Sequence, residues 1–182
     1  MGRPDKNDQL KNSFIIILTI LTIGCTDSGT RQPIEIRHFT RLNELKETIK
    51  ANLVTKVSKD SIQYSYLTDS TIAFIIRINK NDKSRLTYYN FNTLLVDKHI
   101  FTINGQVTEI LKYDYDEPSM FDEEASIYFI DTYGLIAIKG IAWSYFIHFD
   151  KGGQIEKEIF KLLQQDTSGF YGYRPPPKVK VE

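Results

Sequence analysis

Nine short runs rich in Ile, Tyr, Phe and Thr, separated by polar connectors, constrain the fold of this chain more than any other feature. These residue types favour β-strands. The connector Asn104-Gly105 suits a two-residue type I′ turn, and segment 150–153 holds residues that tolerate positive φ. Because connectors of hairpin length cannot hold the crossover that parallel strands need, the pattern predicts a mainly antiparallel sheet and excludes a Rossmann-like core. The predicted strands cover residues 62–67, 71–78, 85–91, 94–103, 106–113, 126–131, 135–138, 142–149 and 155–163.

Several of these runs are apolar on both faces, which constrains how the sheet is covered. Ile127 and Phe129 alternate with Tyr128 and Ile130, so both faces of that strand need an apolar neighbour. One helix cannot cover so many strands. We therefore predict a mainly β fold with a minor α component, an antiparallel sheet of eight or nine strands that is curled or sandwich-like. Closure of the sheet as a barrel is an alternative.

The segment before the first run has the spacing of an amphipathic helix. Thr40 is a suitable N-cap, and the apolar side chains that follow recur every three or four residues. We expect this helix to pack one stripe against the sheet, across an opening or a face. The stripe consists of Leu42, Leu45, Ile49 and Leu53.

Two parts of the chain are similar to each other. Residues 100–110 resemble residues 145–159, and in both a glycine, Gly105 or Gly153, precedes a Gln. Their separation is typical of β-propeller blades, which span roughly 40 to 50 residues. Two blades cannot close a ring, so we interpret the similarity as two related hairpins, with a propeller fragment as the alternative.

The amino terminus has the pattern of an export signal. Basic residues precede the apolar run 14–23, which is too short to cross a ~30 Å hydrocarbon core but suits the centre of a signal peptide. The run ends at Cys25, the single cysteine of the chain. The segment Thr22-Ile23-Gly24-Cys25 resembles the lipobox of bacterial lipoproteins, although Leu21 stands one place earlier than the leucine of that pattern.

The lipoprotein resemblance implies a membrane partner. It implies removal of residues 1–24, a diacylglycerol thioether on Cys25, and acylation of the new amine by a fatty acid such as palmitate. Two or three acyl chains give stable anchoring where one chain does not. Thr26 rather than Asp follows the cysteine, which resembles outer-membrane sorting. The alternative is a buried structural cysteine after an ordinary signal peptide or an apolar N-terminal helix.

The remaining chain divides by composition into three parts. Residues 25–33 hold no large apolar side chain after the cysteine and are predicted to be a flexible tether. Residues 34–167 form a single β-rich domain. Residues 168–182 contain three successive prolines and are predicted to be a tail, with a proline-rich ligand for a partner protein as the alternative.

The composition also excludes several functional classes. Lys plus Arg and Asp plus Glu each number 23, so no excess of positive charge exists to hold nucleic acid. A single Cys excludes intrachain disulfides and Cys-rich zinc sites. No Walker loop, nucleophile elbow, His-Glu-x-x-His pair or Gly-x-Gly-x-x-Gly motif occurs. We therefore predict no cofactor and no metal, and we do not assign catalytic residues.

Two sets of polar residues are candidates for binding. Asp114, Asp116 and Glu117 begin an acidic segment that continues through residues 122–124. Carboxylates bind Ca²⁺, but the spacing lacks the pattern of an EF-hand loop, so a solvated acidic loop is the preferred interpretation. His148 and Asp150 share one face of a predicted strand, where a carboxylate could orient an imidazole for base catalysis. We expect His148 instead on the solvent side of a half-buried strand.

These features favour a non-enzymatic, lipid-anchored binding or accessory protein of a Gram-negative envelope. It would be held at the outer membrane through Cys25 and face the periplasm or the cell surface. One alternative is a small envelope hydrolase or metal-dependent enzyme that uses His148, Asp150 or the acidic segment. The other is a structural component of the envelope.

Overall fold

The computed structural model describes residues 29–40, 44–69, 71–103, 105–115, 125–140, 145–166 and 168–171. In these ranges the chain forms ten β-strands followed by one helix, α1 (Gln154–Gln164). The strands are β1 (Thr30–Phe39), β2 (Leu45–Val57), β3 (Ser61–Thr68), β4 (Thr71–Asn79), β5 (Arg85–Tyr88), β6 (Phe91–Ile103), β7 (Gln106–Tyr115), β8 (Ala125–Ile130), β9 (Gly134–Gly140) and β10 (Phe146–Asp150).

The strands form a closed antiparallel barrel. Each strand pairs with its neighbour in sequence, and β1 pairs with β10 to complete the circle. The closing register runs from Glu35 opposite Asp150 to Phe39 opposite Phe146. The prediction of a mainly β, antiparallel fold is confirmed. The predicted sandwich-like sheet of eight or nine strands is wrong, because ten strands close on themselves and no second sheet occurs among the described residues.

Because neighbouring strands alternate in direction, each end of the barrel collects every second connection. The end that carries Thr30, which we call the tether end, also carries the turns at residues 58–60, 80–84 and 131–133 and the exit from β10. The opposite end, which we call the loop end, carries the last residues of β1, β3, β5, β7 and β9.

The predicted N-terminal helix is not observed, because most of that segment forms β2. Ile49, Ala51 and Leu53 face the barrel interior, whereas Lys50 lies on the outer wall. The spacing of four between Ile49 and Leu53 fits both a helix and a strand, and pairing with β1 and β3 decides between them. Thr40 contributes to the β1–β2 turn, where its hydroxyl accepts a hydrogen bond from the Glu44 backbone N–H at 3.3 Å. Leu42 lies outside the described residues.

The last predicted strand, at residues 155–163, is wrong because this segment forms α1. Ile159, Phe160 and Leu163 are buried, so one helical face packs on the outer wall of the barrel, in a cluster with residues of β6 to β10. The two similar segments at 100–110 and 145–159 consequently have different structures. The first is the β6–β7 hairpin, and the second is a strand followed by a helix. The closed barrel also excludes a propeller fragment.

The barrel interior is filled by large side chains. Tyr66, Tyr113, Phe129 and Phe149 are each at most 1% exposed and belong to one apolar cluster. A second cluster lies outside the wall, between β6–β10 and α1. Most strand residues of β8, β9 and β10 are buried on both faces, as their two-sided apolar pattern predicts.

Buried tyrosine hydroxyls tie the interior to the turns at the tether end. Tyr64 donates to the Asp131 carbonyl at 3.0 Å, and Tyr113 donates to the Lys83 carbonyl at 2.8 Å. The Tyr66 hydroxyl accepts from the Leu135 N–H at 2.8 Å. The chain approaches these rings closely at Gly134, whose φ is +79° and where a Cβ would lie 2.9 Å from the Tyr64 ring. These contacts close the tether end with protein atoms.

The folded domain extends past both predicted boundaries. β1 begins at Thr30, inside the segment predicted as tether, and Pro33 is part of that strand. At the other end, Phe170 and Tyr171 are buried in the outer cluster, so the first residues of the predicted tail pack on the domain.

Candidate functional site

A cavity of about 660 Å³ lies on the outer wall of the barrel, between β1–β2 and the start of α1. We call it the wall groove. Alternation along β1 places Arg31, Pro33, Glu35 and Arg37 outside because Ile34 and Ile36 face the interior. Lys50 of β2 lies opposite Glu35, and the segment that enters α1 adds Lys151 and Lys157 to the opposite side.

Arg37 organises the floor of the groove. Its Nη1 lies 3.0 Å from the Asp150 Oδ2, and its Nη2 and Nε donate to the Glu35 Oε2 at 2.7 and 3.1 Å. The Asp150 side chain is 2% exposed, and its Oδ1 accepts from the Gly152 N–H at 2.7 Å. Charge-assisted hydrogen bonds of this kind are stronger than neutral ones. Arg37 therefore fixes the β10–α1 connection to the outer face of β1.

The groove carries more positive than negative charge. Its charged lining consists of five basic residues and three acids, and Arg37 already engages two of those acids. An adjoining cavity of about 210 Å³ shares Arg37, Asp150 and Lys157 with the groove and adds Lys161 and the ring of Phe39. The combined surface is cationic with an aromatic end. The basic residues of the groove itself are Arg31, Arg37, Lys50, Lys151 and Lys157, and the acids are Glu35, Asp69 and Asp150.

Lys151 is a partly buried basic residue of the groove. Burial lowers its pKa to about 8, and the nearby Glu156 opposes that shift in part. Its Nζ donates to the Tyr133 carbonyl and lies 5.3 Å from the centre of the Tyr133 ring. The ammonium is thus held in place at the tether end of the groove and keeps most of its charge at neutral pH.

His148 is buried, so the expectation that it lies on the solvent side of its strand is wrong. It is 3% exposed. Its ring stacks on Phe160 of α1, with centroids 4.4 Å apart and planes 4° apart, and its Nε2 lies 2.7 Å from the Tyr171 hydroxyl. The sequence analysis missed this because it predicted residues 155–163 as a strand, and α1 is the element that covers His148.

The protonation state of His148 follows from that enclosure. Burial, with a smaller contribution from the Arg37 guanidinium, lowers the pKa of His148 to about 4. The imidazole is therefore neutral at physiological pH. The charged side chains nearest to it around the adjoining cavity are Arg37 on β1, Asp150 on β10, and Lys157 and Lys161 on α1.

His148 and Asp150 share the outer face of β10, but their polar atoms have different partners. Asp150 binds Arg37 and the Gly152 N–H, whereas His148 binds Tyr171. A general base needs a carboxylate that orients it and a nucleophile within reach. Asp150 does not orient His148 in this way. Its described contacts, to Arg37 and the Gly152 N–H, hold the β10–α1 connection in place.

The structure describes one acid of the predicted acidic segment at residues 114–124. Asp114 is exposed on the outer face of β7 and accepts from the Ser126 hydroxyl at 3.0 Å. Asp116, Glu117 and residues 122–124 lie outside the described residues. Among the residues that are described, no group of three or more His, Cys, Asp or Glu side chains is arranged to hold a metal ion.

The residues that build the groove were not candidates in the sequence analysis. Arg37 alternates with apolar neighbours, as any outer-face residue of a strand does, so its pattern does not single it out. Lys157 would have been a candidate only if residues 155–163 had been predicted as a helix. Tyr171 lay in a segment predicted as tail.

No family model, curated protein or solved structure matches this chain. In the parts of the chain that the structure covers, no helix has the length and apolar character to cross a bilayer.

The burial of His148 predicts an acid-dependent stability. The free imidazole has a pKa of 6.5, and the folded protein lowers it to about 4, so the unfolded chain binds a proton between these values and the folded chain does not. The free energy of unfolding should therefore fall as the pH is lowered from about 6.5 to about 4, by up to roughly 3 kcal/mol from this group. Urea unfolding at a series of pH values measures it.

The control variant is His148→Gln, which keeps a polar side chain but does not titrate. Carboxylates contribute equally to wild type and variant, so the difference between their stability curves isolates the imidazole. The difference should shrink as the pH falls over this range. Parallel curves would show that His148 is solvated and can accept a proton in the folded state.

Proposed function

We propose that the protein is a lipid-anchored, non-enzymatic binding protein of the bacterial envelope, and that it binds anionic ligands in the wall groove. The observation that carries the binding role is the pairing of a filled barrel interior with a cationic cavity on the outer wall. Small enclosed cavities and clefts with a few polar groups are where proteins bind small ligands.

The filled interior supports binding on the outside. Some small barrels hold one ligand among the side chains of their interior. In this barrel, Tyr66, Tyr113, Phe129 and Phe149 occupy that space, and tyrosine hydrogen bonds close the tether end. A ligand that entered the interior would have to displace several packed rings. The outer wall needs no such rearrangement.

The lining of the groove supports an anionic ligand with a small apolar part. Arg31, Lys50 and Lys157 are exposed, and no ion pair joins them to another described residue. Lys and Arg recognise carboxylates and phosphates by charge-assisted hydrogen bonds. Phe39 and Phe160 at the adjoining cavity would contact an alkyl or aromatic group of the same ligand.

The surroundings of His148 support binding over catalysis. The imidazole lies beneath α1, and its Nε2 contacts a tyrosine hydroxyl. Tyr171 belongs to the chain that follows α1, so this contact helps to hold that segment against the barrel. The ring lines the adjoining cavity, but the carboxylate on its face of β10, Asp150, contacts Arg37 and the Gly152 N–H and does not orient it as a base.

The position of Cys25 supports the anchor. Four residues separate it from Thr30, where β1 begins at the tether end of the barrel. The extended chain from Cys25 to Thr30 reaches at most about 18 Å. Lipidation of Cys25 would therefore hold the tether end close to the membrane surface.

Replacing Cys25 with Ser tests the anchor. The substitution removes the sulfur that would carry the diacylglycerol, so we expect Cys25→Ser to lose incorporation of a labelled fatty acid. We also expect it to be extracted from membranes by salt and carbonate washing, whereas wild type is retained. Thr26→Ala is the matched control and should behave as wild type. Retention of Cys25→Ser after both washes would rule out lipid anchoring through this residue.

The groove is tested with hexyl phosphate, which combines an anion with a short apolar chain. We expect calorimetry to show binding of hexyl phosphate and no binding of hexanol. The variant Lys50→Gln/Lys157→Gln should bind at least about tenfold more weakly, because two cationic contacts are worth roughly 1.4 kcal/mol or more. Lys46→Gln/Lys98→Gln removes two exposed charges elsewhere and should bind as wild type. Equal affinity of both variants would exclude the groove as the site.

A further inference from the structure

We propose that the tether end of the barrel docks on the anionic headgroups of the membrane that carries Cys25, so that the loop end points away from the bilayer. This inference rests on the proposed lipid anchoring. It adds an interaction surface and a fixed orientation, which anchoring by a flexible segment does not by itself provide.

The barrel topology places several turns at the end that would face the membrane. The β2–β3 turn, the β4–β5 turn and the β8–β9 turn lie at the same end as Thr30. The pairing of Thr30 with Thr55 places the start of β1 beside the end of β2, next to the β2–β3 turn. A tether of four residues between Cys25 and Thr30 keeps this end close to the headgroups.

The tether end is rich in basic residues. Lys59, Lys80 and Lys83 lie in its turns, Arg31 is the second residue of β1, and Arg85 is the first residue of β5. Lys83 pairs with Asp131, and Lys80 donates to the Ser58 carbonyl at 2.5 Å. Across segments 29–31, 56–60, 80–85, 131–133 and 150–153, the basic residues are Arg31, Lys56, Lys59, Lys80, Lys83, Arg85 and Lys151, and the acids are Asp60, Asp82, Asp131 and Asp150.

The described residues of the loop end carry no such excess of positive charge. Glu44 and Asp114 are exposed there, and so is Lys46. Because the whole chain has a formal charge of zero, acids elsewhere in the chain balance the positive excess of the tether end. The protein therefore has a charge axis. Its positive end is the one to which the anchor is attached.

This axis matches the field of a membrane that contains anionic lipids. Basic residues near such a surface are attracted, acids are repelled, and both effects decay within a Debye length of about 8 Å at physiological salt. A tether that reaches at most about 18 Å allows the turns of the tether end to come within that distance. The loop end, a barrel length away, does not.

Amine footprinting of the lipidated full-length protein on vesicles tests the proposal. One set of vesicles contains phosphatidylcholine alone, and the other adds about 30% phosphatidylglycerol, which supplies the negative surface potential. We expect Lys59 to be labelled at least about fivefold more slowly on the anionic vesicles than on the neutral ones. Lys46, near the loop end, should be labelled equally on both. Salt at about 0.5 M should abolish the protection of Lys59.

Two charge-reversal variants complete the experiment. Lys59→Glu/Arg85→Glu alters the tether end, and we expect it to lose the protection of Lys80 on anionic vesicles. Lys46→Glu/Lys98→Glu reverses the same number of charges away from that end and outside the wall groove, and it should keep the protection. Equal labelling of Lys59 on both vesicle types, with the protein still floating with the vesicles, overturns the docking and leaves the anchor intact. Failure to float with neutral vesicles overturns the anchor and the docking together.

Discussion

The pairing of β1 with β10 is the contact on which the rest of the structure depends. It joins the first and last strands of a ten-stranded meander and removes the two edges that an open sheet would expose. Arg37 and Asp150, from the two strands, reinforce that seam with an ion pair at 3.0 Å. The same seam brings β1 beside the start of α1 and so creates the wall groove. Closure and groove therefore share Arg37 and Asp150.

Closure also decides where recognition can take place. Because large rings fill the barrel and tyrosine hydroxyls hold the turns at the tether end, the interior acts as a core and not as a ligand cavity. We therefore place the proposed ligand binding on the outer wall. Helix α1 covers part of it and encloses His148, and the uncovered part beside α1 is the cationic groove. The proposed binding and docking surfaces are both on the outside.

The sequence predicted the strands and hairpins well where local chemistry decides them. Asn104-Gly105 and the alternation in β6 and β7 are local signals. It failed at β2 and α1, because apolar residues four apart, such as Ile49 and Leu53 or Ile155 and Ile159, fit either period. Pairing with β1 and β3 made the first segment a strand, and packing on the outer wall stabilises the second as a helix. The groove was beyond prediction because Arg37, Lys50 and Lys157 are far apart in sequence and meet only after the barrel closes.

Amide hydrogen exchange of β10 tests closure most directly. Alternate N–H groups of β10 point toward β1 and toward β9, so the two sets report separately on the seam and on an ordinary hairpin pair. A closed barrel predicts that both sets exchange only through global unfolding, with equal protection. Rapid exchange of the amides that face β1, with slow exchange of those that face β9, would mean that the seam is an open edge. Arg37 and Asp150 would then no longer be held together at the floor of the wall groove.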